Sequence, residues 1–81
     1  MSEDALTPRT ITELERRYSR SCKTYGKMQS VQEAMGALDG EVHEVRLAIH
    51  SRDNQNIYDE FADAANVCIR QMQEMEARGL V

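Results

Sequence analysis

Residues 41–63 read EVHEVRLAIHSRDNQNIYDEFAD. The stretch holds two acidic pairs, Glu41 with Glu44 and Glu60 with Asp63, each at i, i+3 spacing. In an α-helix, positions three apart lie roughly 60° apart around the axis and about 4.5 Å along it, so each pair can aim two carboxylates at one spot. Between the pairs, Ser51, Arg52, Asp53 and Asn54 read as a short turn with Asp53 or Asn54 as N-cap, which makes the two helices consecutive and antiparallel. Packed face to face, they would gather four carboxylates. Such a cluster is stable only when protons, arginine or lysine side chains, or metal ions offset its charge. Two Mg²⁺ would balance it.

Upstream of the pairs, Ser30 and Glu33 form a capping box, and the pattern predicts a helix over 31–50. Val31, Met35, Leu38, Val42, Val45 and Ile49 repeat at heptad spacing, the mark of a packed helical seam. A second stripe, Ala34, Ala37, Glu41, Glu44 and Ala48, runs beside it. Its alanines leave room for a neighbouring helix or a ligand to approach the acids. His50 and Arg52 suit the negative end of the helix dipole. His43 lies between Glu41 and Glu44 in sequence but off the face they share, and reads as a surface residue or a support to the carboxylates rather than a ligand.

Downstream, a third helix is predicted over 55–77, stopped by Gly79. Its main seam is Phe61, Ala65, Cys68, Met72 and Met75, widened by Ile57, Ala64, Val67 and Ile69. A helix apolar over more than one face is not covered by a single hairpin partner, so the chain is expected to self-associate.

The first helix is predicted over 10–25, opened by a Thr10/Glu13 capping box and closed by Gly26. Its apolar stripe is Ile11, Leu14, Tyr18, Cys22 and Tyr25, while Arg16, Arg20, Lys23 and Lys27 repeat at four-three-four spacing on another face. Long charged side chains usually stay solvated, but one or two of these cations are placed to bind phosphate. Residues 1–9 read as a flexible lead-in and 10–81 as a single all-α domain. Cys22 and Cys68 fall on apolar stripes and read as buried, reduced thiols.

The net charge of −4 is unevenly spread. Residues 9–27 carry six basic and two acidic side chains; residues 28–81 carry four basic and ten acidic ones. A positive first helix facing acidic second and third helices suits a site with metal on one side and phosphate on the other. The sequence shows no signal-peptide pattern and no apolar run of membrane-spanning length, so a cytoplasmic location is expected. An acidic total with few aromatics argues against nucleic-acid binding.

The number of acidic pairs is what chance would give, about two for this composition, so the information lies in their placement on packing faces. The pattern E-x-x-E, a spacer, and E-x-x-D resembles the MazG-like all-α nucleoside triphosphate pyrophosphohydrolases, particularly their small phage and bacterial forms. Tyr25-Gly26-Lys27, the A-M-G-A-L run before Glu41, and D-E-F-A-D-A-A-N-V-C-I-R through the third helix extend the similarity over about residues 16–76. The resemblance implies a four-helix-bundle-like oligomer, a homodimer or homotetramer. It implies Mg²⁺, with Mn²⁺ as a substitute, held by Glu41, Glu44, Glu60 and Asp63, and cleavage of a nucleoside triphosphate to monophosphate and pyrophosphate. Lys23, Lys27, Arg20, Arg16, Asn66 and Tyr25 are then the candidate substrate contacts. Many members carry an acidic doublet where this chain has Gly40 before Glu41, which fits a weakened or specialised activity. The alternative is a catalytically inert helical oligomer acting as adaptor or regulator.

Overall fold

A computed structural model describes residues 4–81 and shows three helices: α1 (Pro8–Tyr25), α2 (Val31–Ser51) and α3 (Asn54–Ala77). No strand occurs among the described residues. No helix is long and apolar enough to cross a membrane. Of the lead-in expected over residues 1–9, the first three positions lie outside the described residues, and Pro8 and Arg9 already belong to α1.

The α1 start is therefore earlier than the Thr10/Glu13 box implies. Thr7 is the N-cap, its extended backbone being the conformation a following proline requires, and its Oγ1 accepts from the Thr10 N–H at 3.2 Å. Pro8 occupies the first helical position, where its fixed φ fits and its missing N–H is not needed. Glu13, freed from capping, pairs instead with Arg16 at 2.7 Å. The other ends follow their local signals. Ser30 Oγ accepts from the Glu33 N–H at 3.0 Å, and Asp53 Oδ1 accepts from the N–H groups of Gln55 and Asn56 at 3.0 and 3.2 Å. At the far end, Gly79 takes φ 69° while the Gly79 and Leu80 N–H groups donate to the carbonyls of Glu76 and Met75, the Schellman pattern of a glycine-terminated helix.

Helix α3 is the centre of the molecule. It packs against both α1 and α2, and α1 and α2 do not meet each other. The α2–α3 hairpin is antiparallel, as its short turn requires. Helix α1 runs parallel to α3: Arg9 stacks on Tyr58, Arg17 reaches Asp59, Ser21 meets Asn66 and Arg70 meets Gly26, all in ascending order on both helices. The result is one layer of helices in the order α1, α3, α2.

The core is small. Met28, in the linker between α1 and α2, is its most enclosed side chain at 2% exposed, set against Ala34 and Val67 with Ala37 and Leu38 alongside. Arg70 and Arg78 hold this linker by donating to the carbonyls of Gly26, Met28 and Gln29 at 3.0–3.4 Å. Helix α2 buries its small-residue stripe, Ala34 and Ala48 with Val45, and leaves Val31, Met35, Val42 and Ile49 of the heptad seam exposed. On α3, Phe61 and Met72 are likewise exposed. Cys22 and Cys68, expected to be buried, are free and exposed in the single chain. The reason is steric: alanines permit a closer helix–helix approach than a row of Val, Met and Ile, so the narrow stripe faces α3 and the bulky one turns away.

The capping assignment predicts that Thr7→Ala lowers stability by about 1 kcal/mol. Thr10→Ala should cost less than half of that in urea unfolding at one fixed protein concentration. The reverse ranking would restore Thr10 as the cap.

Candidate functional site

Because α1 and α2 stand on either side of α3 without touching, they leave a groove between them with α3 as its floor. The groove encloses about 780 Å³. Glu41 enters from α2, and Asp63 lies along the floor with Asn66 one turn further on. Glu41, Glu60 and Asp63 each offer a carboxylate oxygen, and the three oxygens lie within 4.8 Å of one another. Glu44 lines the same groove but does not belong to this trio. Its position follows from helix geometry. Glu41 faces α3 and is half-buried, whereas a residue three further on is rotated by roughly 60° and stands in solvent.

The trio carries electrostatic strain. Burial pushes the Glu41 carboxyl above the ordinary value, and the charges of Asp63, Glu60 and Glu44 push in the same direction. Glu60 is raised by burial first, then by Asp63, Glu44 and Asp59, with Arg17 opposing. Neither Glu41 nor Glu60 has an ion-pair partner among the described residues.

Asp63 differs. Arg17, whose side chain is only 14% exposed, donates from Nη1 to Asp63 Oδ1 at 2.7 Å and from Nη2 to Asp59 Oδ1 at 2.9 Å. Burial opposes the guanidinium charge, but the hydrogen bond and charge of Asp63, with Asp59 and Glu13, outweigh it and raise its pKa. Sequence reading missed Arg17 and Asp59. The only local signal was Glu13, four residues before Arg17 and 3.5 Å from its Nε.

Asn66 is buried, at 8% exposed, and its orientation can be deduced. Ser21 Oγ lies 2.9 and 3.1 Å from the carbonyl oxygens of Arg17 and Tyr18, which can only accept, so the hydroxyl proton is committed there. Toward Asn66, 2.9 Å away, Ser21 can therefore only accept, and the amide must present Nδ2 to it. That leaves Asn66 Oδ1 buried without a partner. An acceptor so placed on a groove floor is suited to a donor arriving with a ligand or a water.

The basic candidates divide. Arg16 and Arg20 line the groove from α1; Arg16 is engaged by Glu13, while Arg20 makes no ion pair among the described residues. Tyr25 stands at the groove end, 75% exposed, with the Arg70 guanidinium 5.8 Å from its ring centroid. Lys23 lines a smaller, more open depression that shares Arg16, Arg20 and Thr24 with the groove, and Lys27 lines neither. Gly40 lies in the α2 wall, where a Cβ would meet nothing within 4 Å, so the position has room for the acid that the resemblance leads one to expect.

The donor set is all oxygen, from three carboxylates with a fourth nearby, which is the chemistry preferred by Mg²⁺ and Mn²⁺. Comparison with protein-family models, curated proteins and solved structures finds no match for this chain.

The strain has a direction in pH. Glu41 and Glu60 release their protons less readily in the folded chain. As pH rises above the ordinary 4.5, the unfolded state therefore ionises first, and stability falls until the folded carboxyls have ionised too. Glu41→Gln is expected to raise the thermal midpoint at neutral pH and to lose that advantage as the pH approaches 4.5. Added Mg²⁺ should stabilise the unsubstituted chain more than the variant. An equal response of both proteins would remove Glu41 from the ligand set.

Proposed function

We propose that this chain is a Mg²⁺-dependent nucleoside triphosphate pyrophosphohydrolase of the MazG-like, all-α type. The observation that carries the reading is the convergence of Glu41, Glu60 and Asp63 within 4.8 Å, with Glu41 and Asp63 lining a groove whose opposite wall bears Arg16 and Arg20. Acids on one wall and floor and cations on the other match a substrate that is a metal-chelated polyphosphate.

In this reading Glu41, Glu60 and Asp63 hold the metal, with Glu44 at the rim adding negative potential. Mg²⁺ bound there would screen the triphosphate, polarise a phosphoryl oxygen and lower the pKa of an attacking water. Water then cleaves the anhydride between the α and β phosphates, giving monophosphate and pyrophosphate, and the water's proton must be taken up. A carboxylate of this cluster would accept it. Arg17 acts by position: it fixes one Asp63 oxygen and leaves the other free to turn to the metal. Arg20, without an ion-pair partner among the described residues, is the first candidate to meet the phosphates, with Arg16 after it releases Glu13. Tyr25 offers an exposed ring at the groove end for a base, and Asn66 Oδ1 an acceptor for a donor on the nucleotide.

One observation favours a second reading, an inert adaptor or regulator. Arg17 already offsets the charge of Asp63 and Asp59, so part of the acidic cluster is satisfied without metal. The test is pyrophosphate release from a panel of canonical and modified ribo- and deoxyribonucleoside triphosphates, with Mg²⁺, Mn²⁺ or chelator. Release that needs metal and falls at least about 100-fold in a Glu41→Gln, Glu60→Gln double variant supports the hydrolase. Silence across the panel from folded protein would leave the adaptor.

A finer expectation concerns Arg20. Replacing it by alanine removes one charged contact to phosphate, and KM should rise by about tenfold while the metal dependence is unchanged. Unaltered KM in an active enzyme would exclude Arg20 from the substrate site.

A further inference from the structure

We infer that Arg17 is a built-in counter-ion to the acidic trio, and that a divalent cation bound there loosens its grip and with it the attachment of α1. The inference rests on the metal site of the reading above and uses nothing of the hydrolysis.

The conflict is over one carboxylate. Arg17 donates to Asp63 Oδ1 at 2.7 Å, and Asp63 is also one of the three acids whose oxygens gather within 4.8 Å. A guanidinium is not deprotonated in a protein, so Arg17 cannot step aside by losing its charge. A cation on the trio draws on the negative charge that holds Arg17, and being positive it repels the guanidinium as well. The arginine side chain is only 14% exposed, so salt and water screen that repulsion poorly. The bond that orients Asp63 is therefore the bond a cation weakens. Asp59, 2.9 Å from Nη2, and Glu13, 3.5 Å from Nε, lie outside the trio and are what Arg17 keeps.

Helix α1 is the element placed to respond. It packs on α3 alone. Among the described residues, none of the buried apolar side chains belongs to α1, whose buried residue is the polar Ser21, while Leu14 and Tyr18 are half-buried. Helices α2 and α3 supply Ala34, Val45, Ala48, Ala62 and Val67. An element with so little buried apolar packing detaches locally at less cost than the hairpin opens. Linkage makes the effect reciprocal: the factor by which a cation loosens α1 is the factor by which docked α1 weakens the cation's binding. Arg17 is thus an autoinhibitory contact. It sets the cation level at which the wall bearing Arg16 and Arg20 comes free. A purely supporting role for Arg17 predicts the opposite sign, because a bound cation would then fix Asp63 and hold α1 more firmly.

Amide hydrogen exchange of the full chain, resolved by helix and run with and without saturating Mg²⁺, reads that sign. Amides of α1 are expected to exchange about tenfold faster in Mg²⁺, with those of α2 and α3 unchanged or slower. In parallel, Mn²⁺ affinity, measured by electron paramagnetic resonance of the free ion, should be about tenfold higher in Arg17→Met than in Lys27→Met. The second variant removes the same charge from a residue that lines neither depression. Should Arg17→Met fail to fold, exchange in the unsubstituted chain still decides. Protection of α1 that Mg²⁺ leaves unchanged or raises overturns the inference, and so does equal Mn²⁺ affinity of the two variants. Failure of the unsubstituted chain to take up Mn²⁺ would sink the metal site itself and this inference with it, whereas uptake with α1 undisturbed would remove the inference alone.

Discussion

The architecture turns on Arg17. Helix α1 makes no contact with α2, so its place beside α3 depends on what crosses that one boundary, and much of it is polar: Arg17 to Asp59 and Asp63, Ser21 to Asn66, Arg9 over Tyr58. A guanidinium with most of its surface withdrawn from water must have partners, and removing the carboxylates would leave it more costly than removing the whole pair. The same clasp holds α1 at a distance from α2 and so keeps the groove open. Site and scaffold thus share Asp63. A ligand that competes for this carboxylate also competes for the attachment of α1.

The remaining acids play the opposite part. Glu41 and Glu60 are held near Asp63 by the hairpin, which is stabilised elsewhere by the Ser30 and Asp53 caps and by the packing of Val67 against Ala34 and Met28. Their proximity is unfavourable in itself and persists because the hairpin overrides it. A cation taken up there would need little reorganisation of the carboxylates, whose geometry is already assembled. The apolar face shows a similar tension on a larger scale: Met35, Val42, Ile49, Phe61 and Met72 stay in water in the single chain.

What could be read from sequence was what is local. The ends of α2 and α3 were legible because Ser30, Asp53 and Gly79 act on backbone groups within a few residues. Helix α1 was misjudged by two residues because Thr7-Pro8 competes with Thr10 for the same role. The approach of Glu41, Glu60 and Asp63 was legible because i, i+3 spacing and a short turn constrain both helices. Which of the two α2 stripes meets α3 was not. Periodicity finds apolar faces but does not say whether the partner is in the same chain: Leu38 and Val45 of the heptad seam turn inward, whereas Val31, Met35, Val42, Ile49 and both cysteines are exposed in the single chain. Arg17 was hidden for another reason: its acceptors are 42 and 46 residues away. The row Arg16, Arg20, Lys23, Lys27 was seen as a unit, but only its inner edge borders the groove.

Gly40 gives the groove a property of its own. It sits in the interior of α2 in a helical conformation that asks for no glycine, at a sacrifice of about 1 kcal/mol relative to alanine, and the space beyond its Cα is empty. Any side chain there would extend into the channel rather than into packed protein. The aperture beside Glu41 is thus set by a missing side chain, and a single substitution would narrow it without disturbing a core contact.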